Sequence, residues 1–397
     1  MPKILITGNG FDLFHHLPTK YGHFMAIMET IEKYDFKKEV AFEDLFERFF
    51  KERFPEDYNS IKKNYRTENI VFEREKTLEI SKLLITNSWY KHFKNVNEID
   101  TWIDFELEIE NTLNDISLIF DFSKKYPNRY ESYDIPTIKV FKDYRNINLI
   151  RSYEYPEAFI NNSYLDQNNK KIKESEFLNY LAKSLEDFII IFNRYLIDIV
   201  NYFYDLKKVN LEIPFNLLNE IYTVNYTNTI ERIYKIDKQK ITYLHGEINE
   251  NNNLQNLVLG INKIQKIIKT NKIFNFTKSY QKIKKITNNK FIHLPENEIM
   301  AENYIFYIIG HSLDKSDDNY ILDLFEFLKI DTVNNSEIII FYYNEDDYNS
   351  KLNNLFSIID EKILIKFNKD KRVRFVELNH KNILLEFNKS LYNRYSW

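Results

Sequence analysis

Short runs of apolar residues, several of them apolar on both faces, mark the strands that this chain is expected to form. Runs of about four to six β-branched and aromatic residues are typical of central strands in a parallel sheet, because helices cover both faces of such a sheet. All the predicted strands except the first lie in the C-terminal half of the chain. They are 3–7, 219–224, 241–245, 256–260, 303–309, 337–343 and 372–377.

The chain between the first strand and the others has the apolar spacing of helices. The first predicted helix follows Thr19, which suits an N-cap. The segment 123–172 is interrupted by prolines and pairs of Asn, which indicates a long irregular excursion. The predicted helices are 20–34, 36–52, 68–92, 100–121 and 174–207.

The order of these elements predicts an α/β fold with a Rossmann-like, mainly parallel sheet. We expect residues 1–30 and 214–397 to form its core, and residues 31–213 to form a large, mostly helical insertion after the first strand. Residues 3–7 should then lie in the middle of the sheet.

An apolar stripe along the predicted helix 100–121 contains one carboxylate. The apolar residues are three or four positions apart, which places them on one helical face. Glu106 falls within this face, and a buried carboxylate needs a partner or a purpose. Glu106 could therefore face a ligand pocket or form a buried pair with a Lys or Arg. The stripe consists of Trp102, Phe105, Ile109, Leu113, Ile116 and Phe120.

Charge and composition narrow the class of protein. The 55 Lys and Arg residues against 59 Asp and Glu give a net charge of −4, which argues against a nucleic-acid partner held by phosphate contacts. The Lys-rich segment 263–290 is interpreted as a solvated face. The chain has no Cys, so disulfides, thiolate nucleophiles and Cys-based metal sites are excluded. We expect no metal.

Neither the N-terminus nor the most apolar run indicates export or membrane insertion. The first residues lack the apolar core of a signal peptide. The run 188–203 is shorter than a bilayer span and contains Arg194 and Asp198. We interpret this run as a buried helix and expect a cytoplasmic protein without a membrane partner.

Glycine is rare in this chain, with six in 397 residues against roughly 7% in average proteins. Each glycine should therefore stand where the backbone requires it. Open α/β sheets bind ligands at the carboxyl ends of their strands, so glycines at strand ends predict one ligand crevice. The alternative is that each makes only a tight turn. The glycines that follow an apolar run are Gly8, Gly10, Gly246, Gly260 and Gly310.

Polar residues at strand ends are candidates for chemistry. Asn225 follows the strand 219–224 and either caps a helix or faces a ligand. His245 precedes Gly246 and either acts as a base near neutral pH or lies at the edge of the core. Adjacent His15 and His16 lack an obvious third metal ligand, which favours polar contacts in a loop.

Common nucleotide and hydrolase motifs are incomplete or absent. Gly8-Asn9-Gly10 resembles the opening of a dinucleotide fingerprint, but Leu13 stands at the position of its third glycine. The sequence contains no G-x-x-x-x-G-K-[ST], no H-E-x-x-H and no G-x-S-x-G. A P-loop NTPase is therefore excluded.

Several motifs resemble those of the AbiH bacteriophage abortive-infection family. The most specific is G-N-G-F-D-L at 8–13, followed by His15 and by L-P-T at 17–19. The later motifs are W-x-D-x-E at 102–106, Y-L-H-G at 243–246 and I-G-H-S-L at 309–313. The resemblance extends from end to end of the chain and implies an antiphage function.

The order of the motifs is also similar to that of sirtuin-like NAD-consuming domains. This similarity implies a Rossmann-like fold that binds NAD, with Asn225 and His245 as catalytic candidates. Thr227 stands where an Asp is usual, and without Cys the zinc module of deacylating sirtuins cannot form; protein deacylation is therefore not expected. The implied binding residues are Gly8, Asn9, Gly10, Phe11, Asp12, His15, Pro18, Thr223, Gly246, Gly260, Gly310 and Ser312.

These observations lead to the hypothesis of an abortive-infection effector that hydrolyses NAD to nicotinamide and ADP-ribose. Asp12 or Glu106 would stabilise the oxocarbenium charge at the ribose. His245 would activate water or a ribose hydroxyl, and Asn225 would position water or the ribose.

The rival hypothesis is a non-hydrolytic sensor that binds a nucleotide or a phage component in the same crevice and acts through a partner. A nuclease is less favoured, because no paired-carboxylate metal motif or basic face stands out. The trigger, the oligomeric state and the partner protein stay open.

Overall fold

A six-stranded parallel sheet is the central element of the computed structural model. The structure describes residues 2–35, 38–96, 101–125, 147–151, 156–160, 164, 166, 172–209, 212–287, 291–292, 303–330 and 336–392. Two antiparallel pairs of short strands, β2 with β3 and β4 with β5, accompany the main sheet. The strands are β1 (Lys3–Thr7), β2 (Val40–Ala41), β3 (Val71–Phe72), β4 (Ile147–Arg151), β5 (Pro156–Ile160), β6 (Glu220–Thr223), β7 (Ile241–Tyr243), β8 (Ile305–Ile309), β9 (Glu337–Tyr342) and β10 (Val373–Glu377).

The main sheet has the strand order β10-β9-β8-β1-β6-β7, and every neighbouring pair is parallel. Counted along the chain, its strands have the spatial order 3-2-1-4-5-6, which is that of doubly wound nucleotide-binding sheets. β1 lies between β6 and β8, with Leu5 paired to Ile221 on one side and to Tyr307 on the other. The predicted α/β fold with a mainly parallel sheet, and the central place of residues 3–7, are confirmed.

Burial of both faces explains why the central strands are continuous apolar runs. Every residue of β1 and of β8 is buried. Leu5 and Tyr307 pack into the cluster on one face, whereas Ile4 and Phe306 pack into the cluster on the other. Side chains of a strand alternate between faces, so a sheet covered on both sides requires apolar residues at every position.

Helices flank the sheet, and most of the described residues between β1 and β6 are helical. Among them, α2 and α8 match the predicted helices 20–34 and 100–121, although Lys20 rather than Thr19 is the N-cap of α2. The helices are α1 (Asn9–Phe14), α2 (Tyr21–Lys33), α3 (Phe42–Phe46), α4 (Phe49–Arg53), α5 (Pro55–Asn64), α6 (Arg74–Thr86), α7 (Ser88–Asn95), α8 (Trp102–Lys125), α9 (Glu174–Asp198), α10 (Thr229–Tyr234), α11 (Lys266–Asn271), α12 (Lys278–Lys284), α13 (Asp318–Ile330), α14 (Glu345–Ile358), α15 (Glu361–Lys369) and α16 (His380–Tyr392).

Three predicted helices are divided or shorter in the structure. The predicted helices 36–52 and 68–92 each contain an extended pair, because Val40 and Phe72 are fully buried and pair β2 with β3. Helices α3 and α4 follow the first pair, and α6 and α7 follow the second. The helix predicted at 174–207 ends as α9 at Asp198 and continues as a 3-10 helix over Val200–Leu206.

The predicted apolar faces of α8 and α9 meet in a large aromatic core. Phe105 of α8 stacks on Phe188 of α9 with ring centroids 5.3 Å apart. Phe188, Ile189 and Phe192 are buried, so the run 188–203 begins as part of a buried helix. Within the described ranges, no helix combines the length and the apolar character that crossing a membrane would require.

The predicted strand 256–260 is wrong. Leu257, Val258 and Leu259 are buried, but side chains rather than a neighbouring strand satisfy much of their backbone. Gln281 accepts a hydrogen bond from the Leu259 N–H at 3.0 Å and donates one to the Leu259 carbonyl at 2.7 Å. The hydroxyl of Tyr226 donates to the Val258 carbonyl at 2.9 Å. An apolar run bounded by Gly can therefore be a buried loop as well as a strand.

The predicted domain boundaries stay a prediction. Helices α2 to α9 do lie between β1 and β6 in the chain, as the predicted insertion requires. In the excursion 123–172, the structure describes 123–125, β4, β5, Tyr164, Asp166 and Ile172. The remainder of that predicted irregular segment lies outside the described residues.

Candidate functional site

A cavity of about 310 Å³ lies at the carboxyl ends of the central strands. The loops after β1, β6, β7 and β8 contribute one wall, which includes 8–10, 224–227, His245 and 310–312. The rest comes from α1, α9, α12, the starts of α2 and α8, and the 3-10 turn that ends at Asp317. This is the edge of the sheet at which doubly wound folds bind ligands.

Most of the sequence-predicted catalytic and binding residues come together at this cavity. Gly8 and Gly310 stand 302 positions apart in the chain, yet both border it, and so do Asn225 and His245. The full set of predicted residues on its wall is Gly8, Asn9, Gly10, Asp12, Glu106, Asn225, His245, Gly310 and Ser312.

Four predicted binding residues near the strand ends do not line this cavity. Phe11 packs in the core against Phe215, and the ring of His15 lies 2.8 Å from the Phe11 carbonyl and 2.7 Å from the Tyr234 hydroxyl. Pro18 offers its carbonyl to the hydroxyl of Tyr195. Thr223 accepts a hydrogen bond from the Asn225 N–H at 3.0 Å. Their surroundings are those of supporting residues behind the wall.

Gly246 and Gly260 also lie away from the cavity, because close backbone packing explains both. Gly246 has φ +84°, and a Cβ there would lie 2.0 Å from the Asn256 carbonyl oxygen. A Cβ at Gly260 would lie 2.3 Å from the Phe276 carbonyl oxygen. These two glycines serve the close packing of the chain on itself rather than the predicted ligand crevice.

The glycines that do border the cavity join two loops. Gly10 N–H donates to the Gly310 carbonyl at 2.8 Å. Gly310 has φ +70°, and a Cβ there would lie 2.0 Å from the Phe11 nitrogen. The loops after β1 and β8 thus touch backbone to backbone, where a side chain would not fit.

Asp12 organises the loop between β6 and α10. Its two carboxylate oxygens accept hydrogen bonds from the hydroxyls of Thr227 at 2.7 Å and Thr229 at 2.6 Å. Burial raises the pKa of Asp12 to about 6, although hydrogen bonds from Thr229, Thr227 and Asn225 oppose the shift. Thr227 therefore supports the carboxylate from the position where the resemblance expects an Asp.

This raised pKa predicts a pH dependence of stability. A carboxyl whose pKa is higher in the folded state, here about 6 against an ordinary 3.8, lowers the free energy of unfolding above about pH 6. This loss disappears as the pH falls towards about 4. Relative to Asp12→Asn, the wild type should therefore gain about 2 kcal/mol between about pH 7.5 and pH 4. Urea unfolding of both proteins checks this, and a pH-independent difference would contradict it.

Asn225 is not a helix cap. The N-cap of α10 is Asn228, three positions further along the chain. Asn225 is 6% exposed and lines the cavity beside Tyr226 and Thr227. Capping therefore does not account for this residue, and its place at the cavity keeps the ligand-facing interpretation.

Glu106 lines the cavity and also forms a buried ion pair. Its Oε1 lies 2.7 Å from Nζ of Lys278, and both side chains are largely buried. Burial raises the pKa of Glu106 to about 7, against the opposing charge of Lys278. Burial opposes the charge of Lys278, but Glu106 and Asp317 raise its pKa overall. Glu106 therefore both lines the pocket and forms an ion pair, so the two alternatives are compatible.

Asp317 connects this pair to two histidines. It lies 3.9 Å from Lys278 Nζ, 3.1 Å from His245 Nε2 and 3.5 Å from His311 Nε2. Burial would raise the pKa of Asp317, but His245 and Lys278 outweigh it and hold that pKa well below the usual range. Oδ1 is the oxygen that lies near both His245 and Lys278, and these contacts are electrostatic because neither has the geometry of a well-aligned hydrogen bond.

His245 is a neutral base in this environment. Burial lowers the pKa of His245 to about 4, although Asp317 opposes the shift. At neutral pH its ring therefore carries one proton, and the proximity of Asp317 to Nε2 favours that nitrogen as the protonated one. Nδ1 then keeps a lone pair on the residue that lines the cavity.

Aromatic rings form the remaining wall. Trp102 at the start of α8 lies against Phe192 of α9, with ring centroids 4.4 Å apart. Phe192 meets Tyr226 edge to face at 5.3 Å. The cavity thus combines ionisable groups with flat apolar surfaces, which is typical of sites for ring-containing ligands.

The sequence interpretation missed Lys278 and Asp317. Lys278 stands in the Lys-rich segment interpreted as solvated, but its N–H donates to the Ile261 carbonyl and turns this residue inward. Asp317 ends a 3-10 turn that Asp314 caps by accepting from the Ser316 N–H at 2.9 Å. The G-H-S-L motif lies just before that turn. The carboxylates that follow the motif, Asp314 and Asp317, were the sequence signal that could have revealed this part of the site.

Among the residues that the structure describes, no group of three or more His, Asp or Glu side chains is placed to hold a metal ion. The ionisable groups at the cavity contact one another instead, through Asp317 and Lys278.

Comparison with known proteins identifies the family of this chain. Residues 4–343 match the sequence profile of the family described as bacteriophage abortive infection AbiH. No curated protein and no solved structure matches the chain at a significant level. The profile covers the resembling motifs and the cavity residues alike. Because it spans most of the sequence, the chain belongs to the AbiH family of bacteriophage abortive-infection proteins.

Proposed function

We propose that this abortive-infection protein acts by hydrolysing NAD to nicotinamide and ADP-ribose. The observation that carries the proposal is the position of His245: a buried neutral histidine, 3.1 Å from Asp317, in a cavity at the carboxyl edge of a doubly wound sheet. Such edges bind nucleotides, and a carboxylate behind a histidine is a common means of orienting a general base. The choice of NAD as the substrate rests on the order of the motifs, which resembles that of sirtuin-like NAD-consuming domains.

The reaction breaks the bond between ribose C1′ and the pyridinium nitrogen. The bonding electron pair moves to the ring nitrogen, which becomes neutral as nicotinamide leaves, and positive charge develops on C1′ and the ring oxygen of the ribose. A water molecule then adds to C1′ and gives one proton to His245. Release of that proton to solvent completes the balance: NAD and water yield nicotinamide, ADP-ribose and one proton.

His245 Nδ1 is the atom that we propose as the base. Its lone pair is free when Nε2 carries the proton beside Asp317. His311 does not compete for this role, because its Nδ1 accepts a hydrogen bond from the Leu313 N–H at 2.9 Å. Asp317 also stabilises the positive imidazolium that forms when water is deprotonated.

Carboxylates around the cavity suit the positive charge of substrate and transition state. Asp12, Glu106 and Asp317 line it, whereas Lys278 supplies the one fully buried opposing charge among these described groups. Positive charge at C1′ gains most from fixed negative charge in a water-excluded site. We assign this electrostatic role to Asp12 and Glu106, with Asp12 held rigidly by two threonines.

The size of the cavity favours one half of the dinucleotide. Its volume of about 310 Å³ lies at the low end of the roughly 300–1,000 Å³ found for small-molecule sites. We propose that the nicotinamide and its ribose enter, against Trp102 and Tyr226, while the adenylate half remains outside.

Replacing Asn225 by alanine tests its positioning role. If Asn225 orients water or the ribose, Asn225→Ala should reduce nicotinamide release by roughly 10²- to 10⁴-fold, as loss of a positioned catalytic group does. Asn228→Ala is the matched control, since Asn228 stands at the N-cap position of α10 without a side-chain capping hydrogen bond and is not part of the cavity wall, so its loss should have little effect on rate. Steady-state rates and thermal unfolding of both variants measure this. Wild-type rates in Asn225→Ala would reject the role.

A non-hydrolytic sensor is the second candidate function. It is favoured because the carboxylates of the cavity already have hydrogen-bond or ion-pair partners within the protein. Both oxygens of Asp12 accept from threonines, and Glu106 is paired with Lys278. A cavity with this many internal contacts can hold a nucleotide without reacting with it. The sensor retains the binding wall but does not require His245 as a base.

Chromatographic analysis of purified protein incubated with NAD distinguishes the two candidates. Hydrolysis predicts equal amounts of nicotinamide and ADP-ribose, formed in proportion to time and enzyme. Asp317→Asn should slow both together, because the amide neither holds the His245 tautomer nor stabilises the imidazolium. NAD binding without either product, with and without phage lysate, would favour the sensor.

A further inference from the structure

His311, in the loop after β8, borders the cavity but has no part in the proposed reaction. Its side chain is 4% exposed, and both of its ring nitrogens lie close to polar groups. Nδ1 accepts a hydrogen bond from the Leu313 N–H at 2.9 Å, and Nε2 lies 3.5 Å from Oδ2 of Asp317. His311 therefore connects the backbone of its own loop to the carboxylate behind His245.

The contact with Leu313 determines which nitrogen of His311 carries a proton. A ring nitrogen that accepts a hydrogen bond has no proton, so the proton of His311 is on Nε2. That nitrogen is the one beside Asp317 Oδ2. His245 Nε2 lies 3.1 Å from the other oxygen, Oδ1. One carboxylate thus has a histidine N–H group beside each of its oxygens, which favours a single orientation of the Asp317 side chain.

The backbone of this loop is strained in a way that keeps His311 in place. Leu313 has φ +56°, a left-handed conformation that is uncommon for residues other than glycine. Its side chain is 3% exposed and packs into one of the two clusters that cover the sheet. The Ser312 carbonyl accepts a hydrogen bond from Nδ2 of Asn354 at 3.0 Å. Such strain persists only where the surroundings fix the chain, and it is concentrated at functional sites.

We propose that His311 is a positioning residue for Asp317. It holds Oδ2 through its Nε2–H and so keeps Oδ1 turned towards His245. This inference rests on the proposed function, because it assigns His311 a role that acts through the base of that reaction. A fixed Asp317 favours the His245 ring that is protonated on Nε2, and Nδ1 of His245 then stays free to take the proton from water. No bond to His311 forms or breaks.

Two substitutions of His311 separate its contacts. In His311→Asn, the amide oxygen reaches the place of Nδ1 and can still accept from the Leu313 N–H, a spacing of two residues that is typical of Asx turns, but no donor reaches Asp317. In His311→Gln, the longer side chain brings an amide N–H to the place of Nε2. His311→Asn should therefore lower kcat for nicotinamide release about 10-fold, the size expected when a hydrogen-bond donor to a charged group is lost, with little change in KM. His311→Gln should restore most of kcat.

The pattern of these rates distinguishes positioning from other roles. In protein that already carries Asp317→Asn, His311→Asn should have little further effect on kcat, because the carboxylate that it positions is gone. Equal kcat in the wild type and His311→Asn, or an equal loss in His311→Asn and His311→Gln, would overturn the positioning role. A rise in KM at constant kcat would place His311 in ligand binding and overturn that role as well.

Nitrogen NMR of the His245 ring tests the inference without any reaction. The signals are assigned by their loss in His245→Ala, and the shifts of the two ring nitrogens report which one carries the proton. His245 should be protonated on Nε2 in the wild type and in His311→Gln, whereas His311→Asn should populate the form protonated on Nδ1. This change without nicotinamide release by any of the proteins would keep the positioning role and reject the hydrolase. Nicotinamide release with the same form of His245 in all three proteins would do the reverse.

Discussion

Replacing His245 by alanine should reduce the rate of nicotinamide release from NAD by about 10²- to 10⁴-fold, the usual contribution of a general base. Binding of NAD should change little, because the base acts on water rather than on the ground-state ligand. The rate of the wild type should also fall as the pH drops through about 4, where burial places the pKa of His245 and the ring becomes protonated. Initial rates across pH, with thermal unfolding of each protein, measure this.

His380→Ala is the control for that variant. His380 lies on the surface at the start of α16, 3.2 Å from the Glu212 carbonyl, and its loss should leave the rate at the wild-type value. A folded His245→Ala protein that releases nicotinamide at the wild-type rate would exclude His245 as the base. The hydrolase would then need another proton acceptor at the cavity.

Replacing Lys278 by methionine should lower the free energy of unfolding by about 3–5 kcal/mol, because it leaves buried charge without a partner. Glu106 lies 2.7 Å and Asp317 3.9 Å from Lys278 Nζ, so one substitution exposes two carboxylates to each other. Glu106→Gln should be milder, since the amide oxygen can still accept from Lys278 and Asp317 still balances its charge. Urea unfolding measures the two losses.

The same variants test whether Glu106 has a function. Glu106→Gln should fold and fail to arrest growth in a phage plaque assay if the carboxylate faces a bound ligand. For the stability measurement, Lys183→Met is the matched control for Lys278→Met. Lys183 is 65% exposed in its pair with Asp187, so its loss should change the free energy of unfolding by less than about 1 kcal/mol. A stable and fully active Glu106→Gln would reject a role at the site.

The sheet was predictable because its strands carry local signals. Runs such as 303–309 are apolar on both faces, and this pattern requires helices on both sides of a sheet. The cluster of Gly8, Asn225 and His245 followed from the same argument, since parallel strands end at one edge. The stripe on α8 placed Glu106 on the buried face by helical geometry alone.

The residues that the sequence did not reveal depend on long-range contacts. Lys278 looked like one of many surface lysines until the bridge between Ile261 and Thr277 turned it towards Glu106. The segment 256–260 looked like a strand because a single sequence does not show that Gln281 satisfies its backbone. The rarity of glycine did not show which glycines border a ligand site, because that also depends on long-range contacts. Gly246 packs against Asn256, whereas Gly310 lies at the cavity.

The concentration of NAD inside infected cells is the most direct test of the central claim. Cells that carry the wild-type protein should lose most of their NAD after phage infection and before lysis, and nicotinamide and ADP-ribose should rise by matching amounts. Cells that carry His245→Ala at equal protein level should keep their NAD and fail to abort the infection. Abortive infection by the wild type with NAD unchanged throughout would contradict the account.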